Sequence, residues 1–125
     1  MNRKLRVFIC HWHGNYRRSL RSVLEQLENR FIIDEGEEYP DCMEWLEKNA
    51  INTDIVLIGF PSWVNDSVRI VREFVAEFPN IRFIKLSLFE TETMEDYYRR
   101  AGIYGCFDET GDINKLYDII LKQHE

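Results

Sequence analysis

The chain has 125 residues, of which 45% are hydrophobic and 14% aromatic, enough for one full core and too few for two. Its formal net charge of −6 argues against broad nucleic-acid or anionic-membrane binding, since Arg3, Lys4 and Arg6 are only a small basic patch. No apolar run approaches the roughly 20 residues of a membrane span, and Val7 to Cys10 is too short for the apolar core of a signal peptide. A single cytoplasmic domain over residues 1–125 is therefore expected. The three cysteines, Cys10, Cys42 and Cys106, are scattered, odd in number and without metal-type spacing, which predicts reduced, buried thiols.

In chain order, "LRVFIC" is a short apolar run, and apolar residues then recur at Tyr16, Leu20, Val23, Leu24 and Leu27, predicting a strand and an amphipathic helix from Tyr16 to Arg30. "FIID" is a second strand, and "YPDCMEWLEKN" a second helix with Pro40 at its start and Cys42, Met43 and Leu46 on one side. "DIVLIGF", Asp54 to Phe60, is the third strand. Val64, Val68, Val71, Val75 and Phe78 mark a third helix, stopped by Pro79. "IRFIKLSLF" is the fourth strand, Glu92 to Ala101 a charged helix closed by Gly102, "YGCF" a fifth strand, and Asp112 to Gln123 a last helix with Ile113, Leu116 and Ile120 inward.

Strands that are nearly all apolar and each followed by a helix specify an α/β protein whose parallel sheet is covered on both faces. The expected architecture is a doubly wound, five-stranded, flavodoxin-like (βα)5 fold with strand order 2-1-3-4-5. In such sheets a ligand site forms at the carboxyl ends of the strands. Those ends supply His11, Trp12 and His13, then Gly59 with Phe60, then Ser87, then Asp108 with Glu109. With no linker in the pattern, an output domain is expected only in another chain or in a removed part.

"LRVFICHWHGNYRRSLRSVLE", "TDIVLIGF", "FPNIRFIKLS" and above all the "AG-x-x-G" of "AGIYGCFDET" resemble the receiver domains of bacterial two-component response regulators over essentially the whole chain. The resemblance implies a phosphorylation pocket: a carboxylate acceptor, two acids holding magnesium, a hydroxyl and a lysine. Matched residue by residue, the acid pair falls on His11 and Trp12, the acceptor on Gly59, the hydroxyl on Ser87 and the lysine on Glu109, with Thr110 after it. Only the hydroxyl is kept. The aromatic switch position of the fifth strand falls on Cys106. Asp54 begins its strand at the far end of the sheet, and Asp66 suits the start of a helix, so neither replaces the acceptor. The expectation is a receiver lacking its acceptor, with no cofactor, no magnesium and no enzymatic activity.

A different chemical class competes. "CHWHGNYRRS" resembles the phosphate loop of low-molecular-weight tyrosine phosphatases, using Cys10 and Arg17, but with one residue too many between thiol and guanidinium. His11 and His13 alternate and offer a metal two imidazoles, with Cys10 or Glu109 beside them; zinc requires three or four ligands. The blander expectation is that the histidines fill a vacated acidic pocket, His11 bonding Glu109. Trp12 and Trp63 are expected to pack over it, and Trp45 against a neighbouring helix. Arg17, Arg18 and Arg21 are expected to form a solvated face opposite the acidic "ETETMED".

Without pocket chemistry, function passes to the surface. Tyr97 and Tyr98 are adjacent, so at least one must point away from the core. With Tyr104, Tyr117, Ile119 and Leu121 they exceed the needs of a core stripe, which predicts a partner-protein or homodimer contact on the fourth helix, fifth strand and last helix. Direct nucleic-acid binding by this domain is not expected.

Overall fold

The computed structural model describes residues 4–27, 30–61, 64–88 and 91–121. Strands β1 (Leu5–His11), β2 (Phe31–Gly36), β3 (Ile55–Gly59), β4 (Arg82–Ser87) and β5 (Gly105–Asp108) alternate with helices α1 (Gly14–Glu25), α2 (Tyr39–Asn49), α3 (Ser67–Glu77), α4 (Glu92–Arg100) and α5 (Ile113–Leu121). All neighbouring strands are parallel, in the order β2-β1-β3-β4-β5. The expected topology is thus observed.

Period-two alternation along the strands builds two apolar layers. Val7, Ile9, Ile55, Leu57, Ile84 and Leu86 meet Leu20 and Leu24 of α1 and Leu116 and Ile120 of α5. Phe8, Cys10, Val56, Ile58 and Phe83 meet Cys42 and Leu46 of α2, Ile70 and Phe74 of α3, and Tyr98 of α4. Every residue of β3 is buried, which is why its sequence reads as an unbroken apolar run. Trp45 is half-buried, its ring 4.7 Å from that of Phe8.

Element ends differ from the sequence reading for local reasons. Helix α1 stops at Glu25 because Gln26 and Leu27 donate to Val23 and Leu24, a tightened last turn instead of continued helix. Helix α3 begins at Ser67 and not at Val64, whose N–H closes a turn onto the Pro61 carbonyl. The fourth helix ends as expected beside Gly102, which has φ of +106° and whose added Cβ would lie 2.6 Å from Val75 Cγ1. Both backbone and space require glycine there. Gly102→Ala is accordingly expected to lower unfolding free energy by about 1–3 kcal/mol, read as a reduced urea midpoint at unchanged slope.

Candidate functional site

The carboxyl ends of β1, β3 and β4 and the residue after β5 converge as the parallel register demands. His11 is level with Gly59, Gly59 with Leu86, and Ser87 with Asp108. Glu109 is anchored beside them because its N–H donates to the Ser87 carbonyl at 2.8 Å.

His11 is the centre of this cluster. It is only 1% exposed, and both ring nitrogens are engaged. Nδ1 accepts the His13 N–H at 3.0 Å, so the ring proton sits on Nε2 and is donated to Glu109 Oε1 at 2.9 Å. The expected His11–Glu109 bond is present. Trp12 stacks on the outer side of the imidazole with centroids 5.9 Å apart, and Tyr16 packs at 4.7 Å. Burial, then the charges of Glu109 and Asp108, push the Tyr16 phenol well above its ordinary value, so it stays neutral. Asp108 is held below the usual carboxylate range by the Thr110 hydroxyl and N–H, which donate to it at 2.7 and 2.8 Å.

The position at the end of β3 shows what this arrangement excludes. A Cβ built on Gly59 would lie 2.5 Å from His11 Cδ2 and 3.0 Å from Nε2. The imidazole cannot swing aside without breaking both of its hydrogen bonds. His11 therefore fills the space that a side chain on Gly59 would need.

Other residues singled out in the sequence are separated. Cys10 packs with Cys42 on the α2–α3 face, where hydrogen bonding with the Cys10 thiol, then burial, push the Cys42 thiol up. Cys106, expected to be buried, is only half-buried, because it lies in the short edge strand β5. Arg17 lies on the other face, its Nη1 donating to the His11 carbonyl at 2.7 Å and its Nε to Glu35 at 2.8 Å. Cys10 and Arg17 form no thiol–guanidinium cradle, in keeping with the extra residue between them, and the phosphatase-like alternative has no support. The solvated-face expectation is corrected too: Arg17 is 5% exposed, and Arg21 joins it by bridging Glu25 and Glu35 at 2.7 and 3.0 Å. Their acidic counterpart is the end of β2, not "ETETMED". His13 is committed as the cap of α1, accepting the Tyr16 N–H at 3.3 Å. Asp54 is at the opposite end of the sheet, accepting the Arg6 N–H at 2.8 Å, and Asp66 precedes α3. Trp63 lies outside the described residues.

On the proposed contact face, Tyr97 and Tyr104 are 48% and 50% exposed, with the Arg82 guanidinium 5.9 Å above the Tyr104 ring. Tyr98 is a correction. It is 3% exposed, and its hydroxyl meets Ser67 Oγ at 2.6 Å in the core. Tyr117 and Ile119 are half-buried against the α1–α5 layer. Sequence reasoning passed over Lys85, buried in β4 with Nζ 4.6 Å from the Tyr98 ring centre and 6.0 Å from that of Phe60. Its signal was a cation in the middle of an apolar strand, between Ile84 and Leu86.

No protein-family model matches the chain. A curated relative, the transcriptional regulatory protein DegU of Brevibacillus brevis, is 20% identical over 117 residues, 94% of this chain and 49% of its own length. The chain thus spans about half of that relative. The signal receiver domain of a DNA-binding response regulator from Colwellia psychrerythraea superposes with a TM-score of 0.84 at 17% identity, covering 97% of this chain and 98% of the other. The fold is that of a receiver domain. RcsB from Salmonella enterica serovar Typhimurium, bound to the promoter rprA in the presence of the phosphomimetic BeF3−, superposes at 0.81 with 16% identity over 94% of this chain and 67% of its own. On this receiver fold, Gly59 and His11 stand at the switch point between β1 and β3, where doubly wound sheets place their ligands. Among the described residues, no group of three His, Cys, Asp or Glu side chains is gathered closely enough to hold a metal ion, and no helix is long and apolar enough to cross a membrane.

Proposed function

We propose that the chain is a receiver-like signalling domain that takes no phosphoryl group and acts by protein–protein contact, as a dimeriser or adaptor in bacterial signal transduction or transcription control. The observation that carries this reading is the His11 ring, fixed at both nitrogens in the space beside Gly59. Phosphoryl transfer to a carboxylate needs an acceptor, a hard cation held by further acids, and groups that neutralise the developing charge. At the matched positions stand His11, Trp12, Gly59 and Glu109, with Ser87 alone keeping the family's chemistry. Glu109 there adds negative charge where a lysine would offset it. The domain is accordingly read as a cytoplasmic binding module with no resident magnesium, no catalytic residue and no direct nucleic-acid contact of its own.

Incubation with magnesium and acetyl phosphate, or with beryllofluoride, is expected to give no covalent mass increase and no amide shifts around Gly59. Stoichiometric acid-labile phosphate on Asp54 or Asp66 would overturn the reading.

With no phosphoryl group to distinguish two states, partner binding should be constant with respect to phosphodonors. The proposed contact uses α4, β5 and α5, with Tyr97 and Tyr104 as its exposed anchors and Tyr117 and Ile119 at its margin. Tyr97→Ala and Tyr104→Ala should each weaken self-association or partner binding by about 1–3 kcal/mol if central, measured by sedimentation. Equal association by wild type and both variants would remove this face from the proposal. Tyr98→Ala does not test it, because that ring supports the core.

A further inference from the structure

The α2–α3 side carries two adjoining clefts outside the α4–β5–α5 face, the first of which borders the refilled pocket and shares Trp12 and Gly59 with it. One, of about 280 Å³, opens at the ends of β1 and β3 and is lined by Trp12, Tyr39 and Phe60 together with Glu37 and Glu38. The other, of about 300 Å³, runs between α2 and α3 over Met43, Ile70 and Phe74, with Glu44, Glu47 and Glu73 along it. Tyr39 and Pro40 line both, so the two form one groove. Tyr39, Met43, Glu44 and Glu47 share a helix face, since their spacing follows successive turns of α2.

The charge of this groove is one-sided. Neither cleft is lined by a lysine or arginine. Glu73 is satisfied by Arg69 at 2.6 Å, and Glu37 lies 3.9 Å from Arg17. Among the described residues, Glu38, Glu44 and Glu47 form no ion pair. An apolar floor under unneutralised carboxylates selects a partner that is both cationic and apolar, because an apolar acid is repelled and a bare cation leaves the floor wet. At the aromatic end, Trp12 and Tyr39 add a preference for ammonium or guanidinium groups, which are drawn to ring faces, whereas the Phe60 ring already has the buried Lys85 ammonium 6.0 Å from its centre.

We propose that this groove docks a segment of a partner protein bearing lysine or arginine beside apolar side chains. The cationic head enters the cleft of Trp12, Tyr39 and Phe60, and the apolar side chains lie on Pro40 and Met43, above the buried Ile70 and Phe74. This contact is separate from the α4–β5–α5 face, so failure of the phosphodonor or tyrosine experiments leaves it standing, and its own failure leaves them standing.

The test is a titration of isotope-labelled protein, followed by amide shifts, with two synthetic peptides of equal length and leucine content. One carries lysine and arginine at its polar positions, the other glutamate. The basic peptide is expected to shift Trp12, Tyr39, Met43, Glu47 and Phe60, and to weaken as salt is raised. Its dissociation constant should rise about tenfold or more in a Glu44→Lys, Glu47→Lys double variant and in Trp12→Ala, and stay within about twofold in Tyr97→Ala. Glu44 and Glu47 are exposed, so an unchanged unfolding midpoint separates lost docking from lost folding. The proposal is overturned by absence of shifts at millimolar basic peptide, by equal binding of the acidic peptide, or by shifts spread over every acidic surface. A response to tetramethylammonium alone overturns it in favour of a small cation. Concentration-dependent assembly abolished by Ile51→Asp overturns it in favour of a second copy, whose far end presents Lys4, Arg6 and the 93%-exposed Ile51.

Discussion

Gly59→Asp, which places a carboxylate at the end of β3, is expected to lower stability by about 3 kcal/mol or more and to gain no phosphoryl group. Two effects add. The new Cβ collides with a ring atom at 2.5 Å, and the new charge enters a buried site already holding Glu109. His11 cannot relax cheaply, because rotating its ring gives up the bonds from His13 and to Glu109. Removing the ring should relieve the collision, so the Gly59→Asp, His11→Ala double variant is expected to show a favourable coupling of about 1–3 kcal/mol in a urea-unfolding cycle. A Gly59→Asp protein as stable as wild type would show that the imidazole does not occupy the space a side chain at position 59 needs. Even the double variant should stay unmodified by acetyl phosphate, since Trp12 and Glu109 supply neither a metal ligand pair nor a neutralising cation.

The second large effect is expected at Arg17→Ala, with a loss of about 3 kcal/mol at pH 7, against less than about 0.5 kcal/mol for Arg18→Ala on the same helix. Arg17 is buried and ties β1 to β2 through the His11 carbonyl and Glu35. Its removal strands both acceptors, and Arg21 at 3.0 Å from Glu35 compensates only in part. The effect depends on pH in a definite direction. Hydrogen bonding from Arg17, opposed by burial and reinforced by Arg21, holds the Glu35 carboxyl below its ordinary value of 4.5. A depressed folded-state value contributes stability above the unfolded value and loses it as pH falls through the folded one. The gap between wild type and Arg17→Ala should therefore be full at pH 7 and narrow below about pH 4.5. A gap that is constant down to pH 3 would mean that Arg17 acts through packing and the His11 carbonyl, without a contribution from Glu35.

The topology was legible because each strand announces itself as a compact apolar run and each helix as a periodic one. The ends of those runs also located His11, Gly59, Ser87 and Glu109 correctly, since parallel strands bring their carboxyl ends to one edge. Two residues were misplaced although the sequence held a signal. Arg17 precedes Leu20 and Leu24 by three and seven positions and so belongs to their buried stripe. Tyr98 follows Met94 by four positions and precedes Ala101 by three, and so belongs to their stripe. Charge on the first and an aromatic excess around the second obscured the period. What no pattern reveals is the approach of His11 to Gly59, which depends on the register of β1 against β3 and on a backbone N–H two residues further on that orients the ring. Nor does sequence show that Lys85 shares its burial with two aromatic rings from other elements.

The position of β1 in the middle of the sheet has a consequence for how the chain is made. Val7 to His11 pair on one side with β2, but their other neighbours, Ile55 to Gly59, emerge from the ribosome almost fifty residues later. Until then the most apolar segment of the amino-terminal half offers an open edge, a surface that strands of other chains can join. Folding must close that long loop before the central pairing contributes anything, which favours slow, late consolidation over rapid local collapse. The step that completes the His11–Gly59 contact is thus also the step that buries the nascent edge, and a domain stalled before residue 59 is the form most exposed to aggregation and to chaperones.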